Sequence, residues 1–434
     1  MHAENRIIME DKIILQVVAD QKDEISTYRT EQWVRRKEEI SFEFDSPLAQ
    51  VVIGVRRSGK STLCHKVLLE NNIRYAYVNL DDDRLAGMQT SDLNTLLLCV
   101  YQIYGTDISY LFLDEIQNVE GWHLFVNRLL RIGIHVFVTG SNAKLLSGEL
   151  ATHLTGRYNE IRLYPFSFSE YCNLTQTDIH SITTKAEAER KRAFADYIND
   201  GGFPELQFVS NKRIYVQSLV DAVLQKDIQQ RFHIRNTDAL RKIAYHLVSN
   251  PCQLVNFDEL SHILNVSDKT IHKYIDYLQQ AFLIQLLPKF SFKSKERITG
   301  QKAYLVDTCF ENNRDYSMSG ANIGWRLENV VYIELLRRCA RKFFDIYYYK
   351  PTSRAKEVDF VVCDRNHPEE LIQVSYDIEH PKTFKRETAS LIKAANELNC
   401  SKLKIITFSH SNQIEMEGKT IQILSAIDWL TQEE

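Results

Sequence analysis

The stretch VVIGVRRSGKSTLCHKVLL, residues 51–69, limits the fold more than any other part of the chain. An apolar run, AQVVIGV, meets a short basic turn punctuated by glycine, and a helical pattern, STLCHKVLL, follows at once. Gly54, Gly59, Lys60 and Ser61 satisfy G-x-x-x-x-G-K-[ST] in the strand, turn and helix setting that the motif requires. Glycine lets the backbone adopt conformations closed to other residues, so that successive N–H groups can face phosphate oxygens. The helix that starts near Lys60 adds the positive end of its dipole. Residues Gly54, Val55, Arg56, Arg57, Ser58, Gly59, Lys60, Ser61 and Thr62 are therefore read as a cradle for the phosphates of ATP. Lys60 is expected to reach the β and γ phosphates, and the Ser61 hydroxyl to ligate Mg2+.

Such a cradle calls for a second strand that ends in carboxylates. SYLFLDEIQNV closes the apolar run Tyr110 to Leu113 with Asp114 and Glu115. Asp114 is expected to order the metal at the carboxyl end of its strand, where open α/β sheets bind ligands. Glu115 would polarise the attacking water. The plainer reading is that two acidic residues simply end a strand. Two further runs fit the same sheet: YAYVNLDDD, and IHVFVTGSNAKLL with Gly140, Ser141 and Asn142 at its end. Ser141 or Asn142 is a candidate sensor of the γ phosphate, although Gly, Ser and Asn also make ordinary turns.

Composition removes several classes. With 53 Lys and Arg against 57 Asp and Glu, the formal charge of -4 leaves any basic surface local. Charged residues at 25% and hydrophobic residues at 44% are ordinary globular usage, so extended disorder is not expected. The eight cysteines are scattered without zinc or redox spacing and read as thiols in a reducing compartment. The first residues mix charges into their apolar run, unlike a signal peptide, and no stretch approaches the ~18 apolar residues of a membrane span. A cytoplasmic location without membrane contact is the expectation.

GVRRSGKST, LDEIQ, VTGSNAKLLSGELATHLTGRY, LYPFSFSEY and GGFPEL, in that order, resemble the bacterial and archaeal AAA+-related ATPases that carry a C-terminal domain of unknown function. The resemblance runs from about Val51 to about Asp377. It implies an ATP-binding protein in which Arg157, in LTGRY, is a candidate arginine finger or phosphate contact, offsetting charge on the transferring phosphoryl group.

From about Ser167 to Gln285 the pattern turns helical, and Gly201, Gly202 and Pro204 mark a joint in DGGFPEL. FDELSHILNVSDKTIHKYIDYLQQAFLIQLL shows helix-turn-helix periodicity, with Ile271, Tyr274, Ile275, Leu278 and Phe282 on one face and Ser267 as the N-cap. Lys269, His272, Lys273, Asp276 and Gln279 occupy the other face, and Lys289, Lys293, Lys295, Arg297 and Lys302 follow, against Glu296. A winged helix could contact DNA through Lys269, Lys273, Lys293 and Lys295, or serve only as a structural or protein-docking lid.

Farther on, the helical WRLENVVYIELLRR and the strand-like FDIYYYK, KEVDFVV and ELIQVSYDI are ordered as in the PD-(D/E)xK nucleases. The resemblance implies Glu328, Asp359 and Gln373 as the metal-binding set, with Ser375 where a lysine belongs. Serine carries no positive charge for a phosphodiester transition state, so a scaffold kept for binding is the preferred reading, with Lys350 or Lys356 as conceivable substitutes.

The fold class expected is thus α/β: an AAA+-like P-loop domain, a helical and winged-helix middle, and an endonuclease-like α/β tail. The expected segments are 1–45 (helical, with Trp33, Arg35 and Arg36 near the nucleotide base), 46–168, 169–305 and 306–434. The function expected is Mg-ATP hydrolysis driving a conformational switch, with a protein partner or a homo-oligomer as the candidate association. The alternatives are an ATP-dependent module recruiting a protein or nucleic acid, and an ATP-dependent DNA nuclease.

Overall fold

The computed structural model of the chain describes residues 10–30, 33–141, 154, 156–291, 293, 296–297, 300–313, 323–352 and 356–432. These form two compact units, Met1–Tyr164 and Pro165–Glu434.

In the first unit five strands, β1 (Ala49–Ile53), β2 (Tyr75–Asn79), β3 (Tyr110–Asp114), β4 (His135–Gly140) and β5 (Tyr158–Arg162), form one parallel sheet in the order β2-β3-β4-β1-β5. Every residue of β1 is buried, as expected of a parallel strand covered on both faces. Helices α1 (Asp11–Thr30), α2 (Lys60–Glu70), α3 (Leu93–Tyr104) and α4 (Trp122–Arg131) supply the cover. α1 buries Ile14, Val17, Val18, Gln21 and Ile25, a single helical stripe, against α3 and β2.

The first glycine of the motif is dictated by the sheet itself. A Cβ on Gly54 would lie 2.1 Å from the Leu163 carbonyl oxygen, where the chain leaves β5. Gly59 caps α2 with φ +94°, a conformation that other residues resist. Parallel alignment brings the carboxyl ends of β1, β3 and β4 to one edge, and with them Gly54, Asp114 and Gly140.

The second unit begins with α5 (Phe168–Thr175), α6 (Thr184–Asp200), α7 (Lys212–Ala222) and a π-helical turn, Val223–Gln230. The turn at Gly201 and Gly202 is pinned by Asp307, whose carboxylate accepts from the N–H groups of Gly202 (2.8 Å) and Cys309 (2.9 Å). Next come α8 (Thr237–Ser249), β6 (Gln253–Leu254), α9 (Phe257–Leu264), α10 (Asp268–Gln280), β7 (Ile284–Pro288) and β8 (Gln301–Leu305), whose strands form an antiparallel sheet in the order β6-β8-β7. The Ser267 hydroxyl caps α10 by accepting from the Thr270 N–H at 3.2 Å. Ile271, Tyr274, Ile275 and Leu278 form its buried face, while Phe282 is buried two residues past its end.

The remainder is α11 (Ile323–Lys342), β9 (Asp345–Tyr349), β10 (Val358–Asp364), β11 (His367–Ser375), α12 (Pro381–Leu398), β12 (Leu403–Thr407), β13 (Asn412–Met416), β14 (Lys419–Ser425) and α13 (Ala426–Thr431). Its six strands order as β13-β14-β12-β11-β10-β9, with β9, β10 and β11 antiparallel and β11, β12 and β14 parallel. Val361, Leu371, Leu391 and Ile405 lie in the core between this sheet and α12. Among the described residues no helix is long and apolar enough to cross a membrane. The eight cysteines are buried, and among the described residues none is in a disulfide.

Candidate functional site

Three strand ends meet at the carboxyl edge of the first unit. From α2, Lys60 directs its ammonium back over the turn, donating to the carbonyl oxygens of Gly54 (3.2 Å) and Val55 (3.1 Å). The Ser61 hydroxyl donates to Asp114 Oδ1 at 3.0 Å. From β4, Thr139 Oγ1 donates to the same carboxylate oxygen and accepts from the Glu115 N–H at 3.1 Å. Tyr77, on β2, donates to Asp114 Oδ2 at 3.3 Å. Glu115 takes φ +51° at the end of β3 and holds Oε1 4.0 Å from Lys60 Nζ, while the Gln117 amide donates to Oε2.

Burial sets the electrostatics of this pair. Desolvation raises the pKa of Asp114, against the donors Thr139 and Ser61 and the charge of Lys60. Desolvation also raises Glu115, against the positive charge of Lys60 and Arg56, and Asp114 adds to the rise. A carboxylate whose pKa is lifted toward neutrality is a better proton acceptor than an exposed one.

Other expected residues divide between the two edges. Arg57 is exposed with φ +65°, and Ser58 is fully buried behind the turn. Ser141 is buried beside Gly140 at the same edge, while Asn142 lies outside the described residues. Arg36 meets the turn from behind, donating to the Ser58 carbonyl at 3.2 Å and the Tyr164 carbonyl at 2.5 Å. Trp33 and Arg35 turn instead to Glu70, at 3.1 and 3.5 Å.

Arg157 is at the far edge. It immediately precedes β5, and its carbonyl accepts from the Ala49 N–H at the start of β1. The five residues of β1 place roughly 16 Å between that edge and the P-loop of the same chain. Sequence reading missed Thr139, Tyr77 and Gln117. The signal for the first was a hydroxyl inside the apolar run HVFVTG, because a buried polar group needs a partner.

In the second unit Glu328 and Asp359 come together around Lys302, one of the basic residues that follow the helix-turn-helix in sequence. Lys302, on β8, is buried; its ammonium is 3.4 Å from Glu328 Oε1, pairs with Glu357 and lies 5.6 Å from the centre of the Tyr348 ring. Tyr304, two residues on, donates to Glu328 Oε1 at 2.6 Å. Asp359 accepts from the Val374 N–H at 2.8 Å, and burial, with the Glu328 charge, lifts its pKa well above the carboxylate range. Gln373 is buried with no partner for Oε1 among the described residues, and Ser375 Oγ donates to the Asp377 carbonyl. Lys350 pairs with Glu357 at 3.6 Å. Among the described residues no group of three or more His, Cys, Asp or Glu side chains is placed to hold a metal ion.

Lys269, His272 and Lys273 are exposed on α10, and Lys293 is exposed but paired with Glu296 at 3.4 Å. Lys295 lies outside the described residues.

Residues 46–172 match the family described as AAA domain, and residues 191–313 match a domain of unknown function, DUF8612. The uncharacterised protein MJ1544 of Methanocaldococcus jannaschii is 33% identical over 372 residues, covering 83% of this chain and 82% of its own. An uncharacterised protein of Haemophilus influenzae is 32% identical over 405 residues, covering 89% and 95%. Among solved structures, the Thermotoga maritima RuvB Holliday junction branch migration motor matches at 18% identity and TM-score 0.28, over 64% of this chain and 94% of that one. AMPPCP-bound DnaA from Aquifex aeolicus matches at 14% and 0.29, over 63% and 92%. Superpositions as loose as these two carry no functional weight.

Proposed function

The chain belongs to the same family as the Methanocaldococcus and Haemophilus proteins and carries an AAA domain, and from that premise we propose that it binds ATP with Mg2+ at the P-loop and hydrolyses it. One observation carries the reading: Ser61 Oγ and Asp114 Oδ1 stand 3.0 Å apart at the mouth of the turn, with Lys60 and Glu115 beside them. A hydroxyl and a carboxylate side by side are the hard oxygen donors that Mg2+ prefers, so the residues fit the ion. Bound there, Mg2+ would neutralise charge on the phosphates.

The chain's own groups do the rest. Backbone N–H groups from Gly54 to Thr62 and the start of α2 hold the phosphates. Lys60 exchanges the carbonyls of Gly54 and Val55 for phosphate oxygens, and its charge then offsets that of the transferring group. Ser61 and Asp114 hold the ion. Glu115 accepts the proton of the attacking water, and Ser141, at the end of β4, senses the γ phosphate. Arg157 cannot serve its own P-loop, so any phosphate contact by it requires a second copy of the chain.

We assign the rest of the chain the part that moves. The order α8-β6-α9-α10-β7-β8 supports a winged helix, and α11-β9-β10-β11-α12-β12 supports a nuclease-like scaffold. Ser375 in the lysine position and Lys302 paired within the acidic cluster favour a scaffold without nuclease activity.

Phosphate release by wild type and Glu115→Gln, with Mg-ATP, tests the proposal. We expect the variant to retain nucleotide binding and lose about 10²- to 10⁴-fold in rate, the range for removal of a general base. No release above background by wild type would leave ATP as a bound ligand that switches a recruitment module, and equal rates above background in the two proteins would remove Glu115 as the base.

A further inference from the structure

A second cavity in the first unit lies away from the P-loop. It encloses about 780 Å³ between the second half of α1, Trp33, the second half of α2 and the residues that lead into β2. The strands are parallel, so Tyr75, which opens β2, marks the amino edge of the sheet. The P-loop is at the carboxyl edge, a strand length of roughly 16 Å away. The cavity is therefore no part of the ATP site.

Its wall is unusual for a chain of net charge -4. Lys22, Arg29, Lys66 and Arg74 line it against one carboxylate, Glu70, which is already engaged by Trp33 Nε1 at 3.1 Å and by Arg35 at 3.5 Å. Arg74 pairs with Asp107 at 2.7 Å and donates to the Tyr104 carbonyl, which leaves further N–H donors of its guanidinium for a ligand. Arg29 is exposed and makes no hydrogen bond or ion pair among the described residues, though it acts electrostatically on the hydroxyl of Tyr75 in the cavity wall. The cations alternate with rings. Lys66 Nζ sits 6.0 Å from the Trp33 ring and donates to the Tyr28 carbonyl, and Lys22 Nζ sits 5.1 Å from the Tyr104 ring.

Cations interleaved with aromatic faces suit a ligand that is both planar and anionic: a base stacks on a ring while the adjoining phosphate meets a guanidinium. The volume falls within the ~300–1,000 Å³ of small-ligand pockets, well beyond what a bare inorganic anion fills. We infer that this cavity is a second nucleotide site, taking one phosphate-bearing nucleotide with its base against Trp33 and Tyr28 and its phosphate toward Arg29 and Arg74. The nucleotide is either free or part of a single strand.

The test uses the full chain with the P-loop disabled by Lys60→Ala and no other nucleotide present, so that nothing else competes for the cavity. A fluorescein-labelled ten-nucleotide oligothymidylate is titrated by anisotropy, and thymidine monophosphate is added as a competitor. We expect binding that weakens about 10-fold or more in Arg29→Glu and about 5-fold or more in Trp33→Leu, the lower end of what one base-to-ring stack contributes. The exposed Arg29 can be replaced without touching the core, so that variant stays informative if Trp33→Leu folds poorly. Competition by the monophosphate identifies a free nucleotide as sufficient; binding of the oligomer without such competition identifies a strand. Binding of neither probe, wild-type affinity in Arg29→Glu, or a loss that follows Lys269→Glu instead would overturn the assignment.

Discussion

Lys302→Met tests what holds the acidic cluster of the second unit. Methionine keeps much of the buried stem, so the change removes a charge more than a volume. The Lys302 side chain is 7% exposed, and its ammonium faces Glu328 at 3.4 Å. After substitution Glu357 retains Lys350 at 3.6 Å, Glu328 retains the Tyr304 hydroxyl at 2.6 Å, and Asp359 retains the Val374 N–H at 2.8 Å. Hydrogen bonds thus survive, but the cation between Glu328 and Asp359 is gone. Breaking a buried pair from one side costs about 3–5 kcal/mol, and the surviving donors place this variant near ~3 kcal/mol. With a urea slope of roughly 3 kcal/mol per molar, the unfolding midpoint falls by about 1 M.

The loss should depend on pH. Asp359 has a raised pKa in the folded state, where Lys302 opposes the rise, so the variant raises it further. The folded state then binds more protons than the unfolded one, and stability falls as pH rises through the folded pKa. The variant should accordingly be hurt more at pH 8 than at pH 5, as read by urea unfolding of the full chain. A cost under about 1 kcal/mol, no dependence on pH, or no relief in the Lys302→Met, Glu328→Gln double variant would refute the reasoning. So would Mg-dependent plasmid nicking by the wild type that disappears in Asp359→Ala, because the cluster would then be catalytic.

Two predictions concern the P-loop edge. The Gln117 amide lowers the pKa of Glu115, so Gln117→Leu should move the acid limb of the kcat/KM profile for ATP hydrolysis to higher pH; an unmoved limb excludes the contact from the chemistry. Thr139→Val removes the hydroxyl that donates to Asp114, a hydrogen bond to a charged group contributing about 1.5–3 kcal/mol, and should raise the Mg2+ concentration for half-maximal hydrolysis by ~10-fold or more. Metal-free nucleotide affinity, measured by calorimetry, should stay as in wild type, and a parallel loss there would point to a general collapse of the site.

The P-loop could be read because its requirements are contiguous: two glycines, a lysine and a hydroxyl within one turn, each with its own physical reason. Asp114 and Glu115 were legible as the end of an apolar strand. Tyr77 and Thr139 were not, because they reach Asp114 only through the strand order β2-β3-β4, which a linear pattern does not contain. Lys302 misled for a related reason. Its neighbours in sequence are basic and point to a solvated wing, yet strand alternation puts it on the face of Tyr304, and both side chains meet Glu328. The tail's order of elements could be anticipated, but not the origin of the cation at its centre.

Arg157 shows how topology overrides proximity along the chain. β4 delivers Gly140 and Ser141 to the carboxyl edge, and β5 then pairs parallel to β1. A parallel strand can begin only after the chain has returned to the amino edge. The residue directly before β5 is therefore carried away from the phosphates, however close LTGRY lies to VTGSN in sequence. β5 and β2 are the two outer strands, four strand spacings apart, so Arg157 and the basic cavity share an edge yet lie roughly 19 Å from one another.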